Sequence, residues 1–147
     1  MGRRTVCPAA AALAVLAAGL AACSRGAPAD PPPQPATLRP YAGSSLPEVV
    51  LTSDAQRRLG VTTVAVRPDP DDRTLTEIPE TALVYDPDGH AWTYRQVAPR
   101  GYLRTAVVVD RTTGETVLLR SGPPAGTPVV DTGAPELLGA EYGVGEE

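Results

Sequence analysis

Residues that could bind a metal are few in this chain. His90 is the only histidine, and it follows Gly89 in a predicted turn. Metal sites draw on three or four ligands, so a single turn histidine with no cysteine or second histidine nearby is expected to be a surface residue. Asp69, Asp71 and Asp72 form an acidic loop that lacks the EF-hand spacing with its glycine and terminal glutamate. We therefore expect a solvated loop, with a weak cation contact as the alternative, and no metal or cofactor site.

Nucleophiles and acid–base pairs are equally scarce. Ser53 and Ser121 are the serines of the predicted fold, and neither lies in a Gly-x-Ser-x-Gly elbow. All 13 basic residues are arginine, which excludes lysine Schiff-base chemistry. Residues 122–126 lack the lysine of a phosphate-binding loop. Glu77 and Glu80 flank a predicted strand connection, where solvated charge is expected. The sequence therefore predicts no catalytic residues and a protein that is not an enzyme.

Cys23 is the residue with a specific chemical assignment. Arg3 and Arg4 precede an apolar run, and Leu20-Ala21-Ala22 places small residues directly before the cysteine. A charged start, a short apolar segment and small residues at the cut are typical of a secretory signal. The Leu-Ala-Ala-Cys sequence resembles the lipobox of bacterial lipoproteins. The resemblance implies that residues 1–22 are removed as a signal peptide and that the Cys23 thiol carries a diacylglycerol thioether.

The same resemblance implies a location on the extracytoplasmic face of the cell membrane, where the lipid on Cys23 is the anchor. The alternative is an uncleaved transmembrane anchor. A span normally needs about twenty strongly apolar residues, and Pro8 and Gly19 interrupt this run. Cys7 would leave with the signal, so no thiol would remain for a disulfide or a zinc site.

Charge narrows the range of partners. Removing Arg3 and Arg4 leaves 11 arginines against 17 acidic residues, which is a formal charge of −6. An acidic chain with scattered arginines binds nucleic acid and anionic lipid poorly. We therefore expect no nucleic-acid partner, and contact with the membrane through the lipid anchor.

Prolines dominate the segment that follows Cys23. Six lie between Ser24 and Pro40, with few large apolar side chains among them, so this segment cannot bury enough surface to fold. Proline-rich chain tends to the extended polyproline conformation at about 3.1 Å per residue, which gives a reach of about 50 Å. A flexible spacer without a length requirement is the alternative. We expect a disordered Pro-rich tether over residues 23–45 and one folded domain over residues 46–147.

The folded part is predicted to begin with a short strand and a short helix. Glu48–Leu51 has the pattern of a strand, and Ser53 followed by Gln56 has the form of a capping box. The helix ends at Leu59, because Gly60 suits the left-handed position just beyond a helix end. Strands are then expected at residues 61–66, 74–78, 82–86, 91–97, 102–110, 115–120 and 127–131.

Turn residues at short, regular intervals between these strands favour an antiparallel all-β fold. We expect a small antiparallel β roll or barrel with one or two short helices. Residues 134–143 carry Pro135 near a helix start and the pair Leu137 and Leu138. This pattern predicts a short helical segment whose leucines close the core, with a docking surface as the alternative.

The most informative segment is a predicted β-hairpin. Residues 78–85 form a strand of apolar and β-branched side chains, Asp86-Pro87-Asp88-Gly89 forms a turn, and Ala91-Trp92-Thr93-Tyr94 begins an aromatic return strand. A Pro-x-x-Ala-Leu-Val strand, an Asp-x-Asp-Gly turn and an aromatic strand resemble the opening of the membrane-proximal domain of periplasmic adaptor subunits. These adaptors are the membrane fusion proteins of RND-type efflux pumps.

Further motifs in the same order extend the resemblance over about residues 51–143. Leu51-Thr52, Leu59-Gly60-Val61 and Thr63 are similar to an adaptor segment that often leads toward a lipoyl-like domain and a long helical hairpin. The second half is similar to the adaptor pattern of valine strands, a Ser-Gly turn and a Val-Val strand. Its residues are Val117-Leu118-Leu119-Arg120-Ser121-Gly122, Ala125-Gly126-Thr127-Pro128-Val129-Val130 and Gly133.

Three departures from the adaptor pattern are visible. Pro123 replaces a usual leucine, and Thr127-Pro128 replaces an acidic–basic pair. Only a short stretch separates Val66 from Thr74, so the lipoyl and hairpin parts are absent between them. Pro128 has no backbone donor and is therefore expected at a strand start or a sheet edge.

The resemblance implies a non-enzymatic, lipid-anchored accessory subunit of a membrane efflux transporter, with an RND-type or ABC-type permease as the partner. The alternative is a freestanding surface lipoprotein that binds a ligand or cell-wall component through its β fold. A permease gene beside this one would favour the first hypothesis, and an isolated gene would favour the second. The sequence leaves the transported substrate and the oligomeric state open.

Overall fold

The computed structural model describes residue 2 and residues 34–143. The predicted signal peptide from residue 3 onward, Cys23 and the first part of the predicted tether lie outside the described residues. Within them, no helix is both long and apolar enough to cross a membrane.

The described part of the chain contains eleven strands and two α-helices. The strands are β1 (Ala36–Arg39), β2 (Glu48–Leu51), β3 (Thr62–Ala65), β4 (Arg67–Pro68), β5 (Thr76–Pro79), β6 (Val84–Tyr85), β7 (Ala91–Ala98), β8 (Gly101–Ala106), β9 (Val108–Thr113), β10 (Thr116–Ser121) and β11 (Pro128–Thr132). The helices are α1 (Ser53–Leu59) and α2 (Ala134–Glu141), with one 3₁₀ turn at Glu80–Ala82.

These strands form two antiparallel sheets. The larger sheet has the order β1-β2-β8-β7-β11-β3, and β6 pairs with β7 beside this path. The smaller sheet has the order β4-β5-β10-β9. The mostly β, antiparallel fold with two short helices confirms the predicted class, although the sheets stay open and do not close into a barrel.

Two continuous chain segments pass from one sheet to the other. β3 runs into β4 through Val66, and β8 runs into β9 through Val107. Both valines are buried at these corners. The Val66 N–H donates to the Thr127 carbonyl at 2.9 Å, and the Val107 N–H donates to the Ala91 carbonyl at 3.1 Å. Bends of this kind make the corners of β folds in which strands switch sheets.

The prediction of a single strand over residues 102–110 is wrong, because the chain bends at Val107 and forms β8 and β9. Ala106, Val107, Val108 and Val109 form a run with no turn residue, so nothing in the local pattern indicates a bend. The strand bends because its two halves pair with different partners: β8 with β7, and β9 with β10.

Two hydrophobic clusters cover opposite faces of the larger sheet. Along β11, Val129 belongs to one cluster and Val130 to the other, since successive strand residues point to opposite faces. The cluster on the helix side contains Val49, Leu51, Ala55, Val84, Tyr94, Tyr102, Val130, Ala134 and Leu137. The cluster between the sheets contains Val66, Ile78, Ala82, Val107, Val117, Leu119 and Val129. Each fully buried valine or leucine contributes roughly 1.5–3 kcal/mol relative to an exposed one.

The N-cap of helix α1 lies one residue earlier than the sequence predicts. Thr52 is the N-cap, and its hydroxyl accepts a hydrogen bond from the Ala55 N–H at 3.1 Å. The predicted capping box on Ser53 is therefore wrong, because the Gln56 amide donates to the Tyr102 hydroxyl instead of the cap. The predicted stop is confirmed: Gly60 has a left-handed conformation with a φ of 61°.

The fold begins before the expected boundary at residue 46. β1 pairs along its length with β2, from Ala36 opposite Leu51 to Arg39 opposite Glu48. The expected disordered tether is therefore wrong for residues 36–39. Pro35 and Pro40 flank β1 without interrupting it, and β1 is an edge strand, where neighbouring prolines are tolerated.

The predicted C-terminal helical segment is confirmed as α2, with Pro135 in its first turn. Leu137 is fully buried in the helix-side cluster, and Leu138 is partly buried against it. These leucines therefore close the core, as predicted. Pro128 also lies where it was expected, at the first position of β11.

Candidate functional site

The predicted hairpin forms between β6 and β7, and its turn is organised around one carboxylate. Val84 lies opposite Trp92, and Tyr85 opposite Ala91. Asp86 Oδ1 accepts hydrogen bonds from the backbone N–H groups of Asp88 and His90 at 3.0 and 2.8 Å. Its Oδ2 accepts from the Trp92 indole N–H at 2.9 Å and lies 3.1 Å from His90 Nδ1.

These hydrogen bonds explain why three potential metal ligands lie close together, the one such group among the described residues. Ligand atoms of Asp86, Asp88 and His90 lie within 4.8 Å of one another. Both Asp86 oxygens are already occupied by N–H donors, so the arrangement is accounted for by the turn itself. The His90 side chain is 70% exposed, which agrees with the prediction of a surface residue.

Hydrogen bonds control the ionisation of Asp86. Burial by itself would raise the pKa of this carboxyl, but the donors on Trp92 and His90 outweigh it and lower the pKa from 3.8 to about 2. A carboxyl whose pKa is lower in the folded state contributes stability above pH 3.8, and that contribution is lost as the pH falls toward 2.

We expect Trp92→Phe to raise the pKa of the Asp86 carboxyl, because it removes the indole donor to Oδ2. The stability attributable to Asp86 should then be smaller, and its loss should still begin near pH 3.8 but be complete at a higher pH than in the wild type. Carbon-detected NMR titration of the Asp86 carboxyl between pH 2 and 6 measures this directly. Asp88→Asn is the control, because the side chain of Asp88 is exposed at the same turn. A wild-type Asp86 that titrates near pH 4 would contradict the prediction.

The acidic loop between β4 and β5 is more ordered than a solvated loop. Asp69 is buried, and its Oδ1 accepts from the N–H groups of Asp71 and Asp72 at 2.8 and 2.7 Å. Asp72 accepts from the backbone and hydroxyl of Thr74 at 2.9 and 2.6 Å. Asp71 and Asp72 are exposed as predicted, whereas Asp69 is a structural residue that holds the turn.

A buried ion pair joins the C-terminal helix to the larger sheet. Arg104 of β8 and Glu141 of α2 have side chains that are only 8% and 6% exposed. The guanidinium Nη2 lies 3.0 Å from Glu141 Oε1. The Tyr94 hydroxyl of β7 donates to Glu141 Oε2 at 2.6 Å, and Arg104 Nη1 donates to the Tyr142 hydroxyl at 3.0 Å.

Aromatic rings complete the surroundings of the guanidinium. Its centre lies 4.5 Å from the Trp92 ring centroid and 5.4 Å from that of Tyr142. Burial alone would lower the pKa of Arg104, but the Tyr142 hydrogen bond and the Glu141 charge raise it above its ordinary value. Burial and the Glu141 carboxylate both raise the pKa of Tyr94. Arg104 therefore stays charged, and Tyr94 stays protonated as a donor.

This cluster is not evident from the sequence. Arg104 lies inside a predicted strand, and Glu141 lies 37 positions later near the chain end, so no local spacing links them. The one indication in the sequence was an arginine within an apolar strand, between Leu103 and Thr105. A charge in that position needs a buried partner.

A cleft opens where the two sheets diverge beside β3. It encloses about 560 Å³ between β3, β4, β5, β10 and the end of β11. Arg67 Nε lies 2.9 Å from Glu77 Oε1 across its wall, and Asp131 accepts a hydrogen bond from the Thr81 hydroxyl. The lining residues are Val64, Ala65, Arg67, Glu77, Ile78, Pro79, Glu115, Thr116 and Asp131.

The remaining sequence candidates are dispersed over the fold. Ser53 is the first residue of α1, and Ser121 is the last residue of β10. Glu77 lies in β5 and pairs with Arg67, whereas Glu80 begins the 3₁₀ turn as an exposed residue. Cys23, the predicted lipid site, lies outside the described residues.

Comparison of the chain with models of protein families found no match, and comparison with curated proteins found none either. The resemblance to adaptor subunits therefore rests on the sequence motifs alone.

Proposed function

We propose that this chain is a lipid-anchored, non-enzymatic accessory subunit of a membrane efflux transporter. In this proposal the β domain resembles the membrane-proximal domain of periplasmic adaptors. It docks on the extracytoplasmic part of an RND-type or ABC-type permease.

The observation that carries the proposal is the short span between the candidate lipid site and the fold. Cys23 is the predicted anchor, and β1 begins at Ala36. In an extended polyproline conformation, at about 3.1 Å per residue, the intervening dozen residues would span about 40 Å. A lipid on Cys23 would thus keep the domain within reach of the outer parts of a permease. This reach is shorter than the 50 Å expected from the sequence, because β1 takes up part of the predicted tether.

The connection between β4 and β5 gives further support. In adaptors, the corresponding segment often leads out to the lipoyl-like and helical-hairpin parts. Here Arg67 pairs with Glu77 and Pro68 with Thr76, and the Asp69 N–H donates to the Leu75 carbonyl at 3.0 Å. A short hairpin thus joins the two strands directly, as expected for an adaptor-like domain that lacks its middle.

The polar clusters support a role in contact more than in chemistry. Asp86 holds a turn, Asp69 holds a loop, and Arg104 with Glu141 fastens α2 to the sheet. The carboxylates of Asp69, Asp86 and Glu141 each accept hydrogen bonds from neighbouring groups of the same fold. We therefore assign function to the outer surface of the domain.

The anchor is tested by Cys23→Ala. We expect metabolic labelling with a fatty-acid analogue to mark the wild-type protein and to be lost in this variant, because the thiol that forms the thioether is gone. Cys7→Ala is the matched control and should label as the wild type does, since Cys7 belongs to the predicted signal peptide. Equal labelling of the wild type and Cys23→Ala would contradict the assignment of the lipid site.

The transporter partnership is tested in the producing cell. Cys23→Ala releases the domain from the membrane, so co-purification with a neighbouring permease and efflux of its substrate should both fall. Deletion of the gene should have the same effect on efflux. If deletion leaves efflux and drug or metal tolerance unchanged and no permease co-purifies, the adaptor proposal is wrong. A freestanding binding lipoprotein would then be the better account.

A further inference from the structure

β3 is an edge strand that contains no charged residue and no proline, and its ladder with β11 has one register shift, between Val130 and Thr132. Natural edge strands are blunted by charged residues, prolines, bulges or short length, because an open edge is a template for another chain. β3 consists of Thr62, Thr63, Val64 and Ala65, and it pairs only with β11 in the described fold.

The other edges of the described sheets are blunted. β1 lies between Pro35 and Pro40 and ends in Arg39. β9 carries the charged residues Asp110 and Arg111. β4 and β6 are only two residues long. β3 therefore stands out as the edge that is open to strand addition.

The cleft lies directly against this edge. Val64 and Ala65 of β3 form one wall, and Ile78 and Pro79 of β5 lie in the opposite wall. β4 pairs with β5 only at Thr76 and Glu77, so Ile78 and Pro79 have no β4 partner. The volume of about 560 Å³ is within the range of binding pockets, roughly 300–1,000 Å³. An extended segment of a few residues fits this space beside β3.

The charges of the cleft favour a basic occupant. Its lining holds three carboxylates, on Glu77, Glu115 and Asp131, against the single guanidinium of Arg67. Arg67 is engaged with Glu77. Glu115 is exposed, and Asp131 has only the Thr81 hydroxyl as its side-chain partner in the described residues. Complementary charge across an interface sets register and selects the partner.

We propose that β3 accepts an extended segment of a partner protein as an added strand, and that this segment carries lysine or arginine facing Glu115 and Asp131. Backbone hydrogen bonds along β3 supply affinity, and the cleft supplies selectivity for basic side chains. This property belongs to the domain itself, so it holds or fails independently of the transporter proposal.

The test uses synthetic peptides and the full chain purified in detergent. The probe is a peptide of about eight residues that alternates valine and threonine, with two threonines replaced by lysine. A second peptide has glutamate at those two positions, and a third is the lysine peptide with alternate backbone nitrogens methylated. Fluorescence anisotropy measures affinity, and amide NMR shifts locate the site.

We expect the lysine peptide to bind about tenfold more tightly than the glutamate peptide. Methylation should abolish binding, because it removes the donors of an added strand. Amide shifts should centre on residues 62–65. Glu115→Lys should weaken binding of the lysine peptide about threefold to fivefold, whereas Asp88→Lys, a charge reversal at the distant hairpin turn, should not.

Three results would overturn the proposal. One is the absence of binding at millimolar peptide, and another is equal affinity for the lysine and glutamate peptides. The third is a concentration-dependent dimer, seen by sedimentation, that Thr63→Lys abolishes. That result would make the occupant of β3 a second copy of this chain.

Discussion

Arg104→Ala is expected to lower the free energy of unfolding by about 3–5 kcal/mol, because it leaves the Glu141 carboxylate buried without its countercharge. The change also removes the cation that lies against the Trp92 ring. Domains of this size have free energies of unfolding of about 5–15 kcal/mol, so this single substitution should remove a large part of the stability. Denaturant unfolding followed by Trp92 fluorescence measures the loss.

Matched variants separate the charge from the packing. Arg104→Met combined with Glu141→Leu removes both charges and keeps the apolar volume, so it should be much less destabilising than Arg104→Ala. Tyr142→Phe removes one hydrogen bond to the guanidinium and should cost about 1 kcal/mol. If Arg104→Ala cost no more than Tyr142→Phe, the pair would not be a buried, mutually dependent unit.

Gly133→Val is expected to destabilise the domain by about 2–5 kcal/mol, for two independent reasons. Gly133 has a φ of 96°, which side-chain-bearing residues rarely adopt, at the N-cap of α2. A Cβ at this position would also lie 2.9 Å from Cγ2 of Val61, closer than carbon atoms approach. Thermal or denaturant unfolding of the two proteins gives the difference.

Gly139→Ala is the matched control for Gly133→Val, since both glycines belong to the same end of the chain. Gly139 lies inside α2, and a Cβ there would meet no atom within 4 Å. Alanine should stabilise the helix by about 0.5–1 kcal/mol relative to glycine. If both substitutions destabilised equally, the conformation of Gly133 would not be the cause.

Local chemistry made part of this fold predictable. The Asp86-Pro87-Asp88-Gly89 turn, the stop of α1 at Gly60 and the position of Pro128 at a strand start all depend on neighbouring residues. The first follows from the residues that a tight turn requires, the second from the left-handed backbone that glycine adopts, and the third from the missing N–H of proline. All three can be recognised from the residue types alone. The all-β class follows in the same way from regularly spaced turns.

Features that depend on distant partners could not be predicted. The bend at Val107 arises because β8 and β9 pair with different strands, and β1 is ordered only because β2 lies beside it. The pairing of Arg104 with Glu141 requires α2 to fold back on the sheet. The Thr52 cap was missed because Ser53 is adjacent to it and serine is the more strongly favoured of the two cap residues.

The two corner segments also determine how this domain folds and unfolds. Val66 and Val107 each lie within a chain segment that contributes to both sheets, so disruption of one sheet also loosens a strand of the other. Half of the pairings in the larger sheet join strands that are remote in sequence, namely β2 with β8, β7 with β11 and β3 with β11, and pairing of this kind slows folding. We therefore expect the two sheets to unfold together as a single cooperative unit.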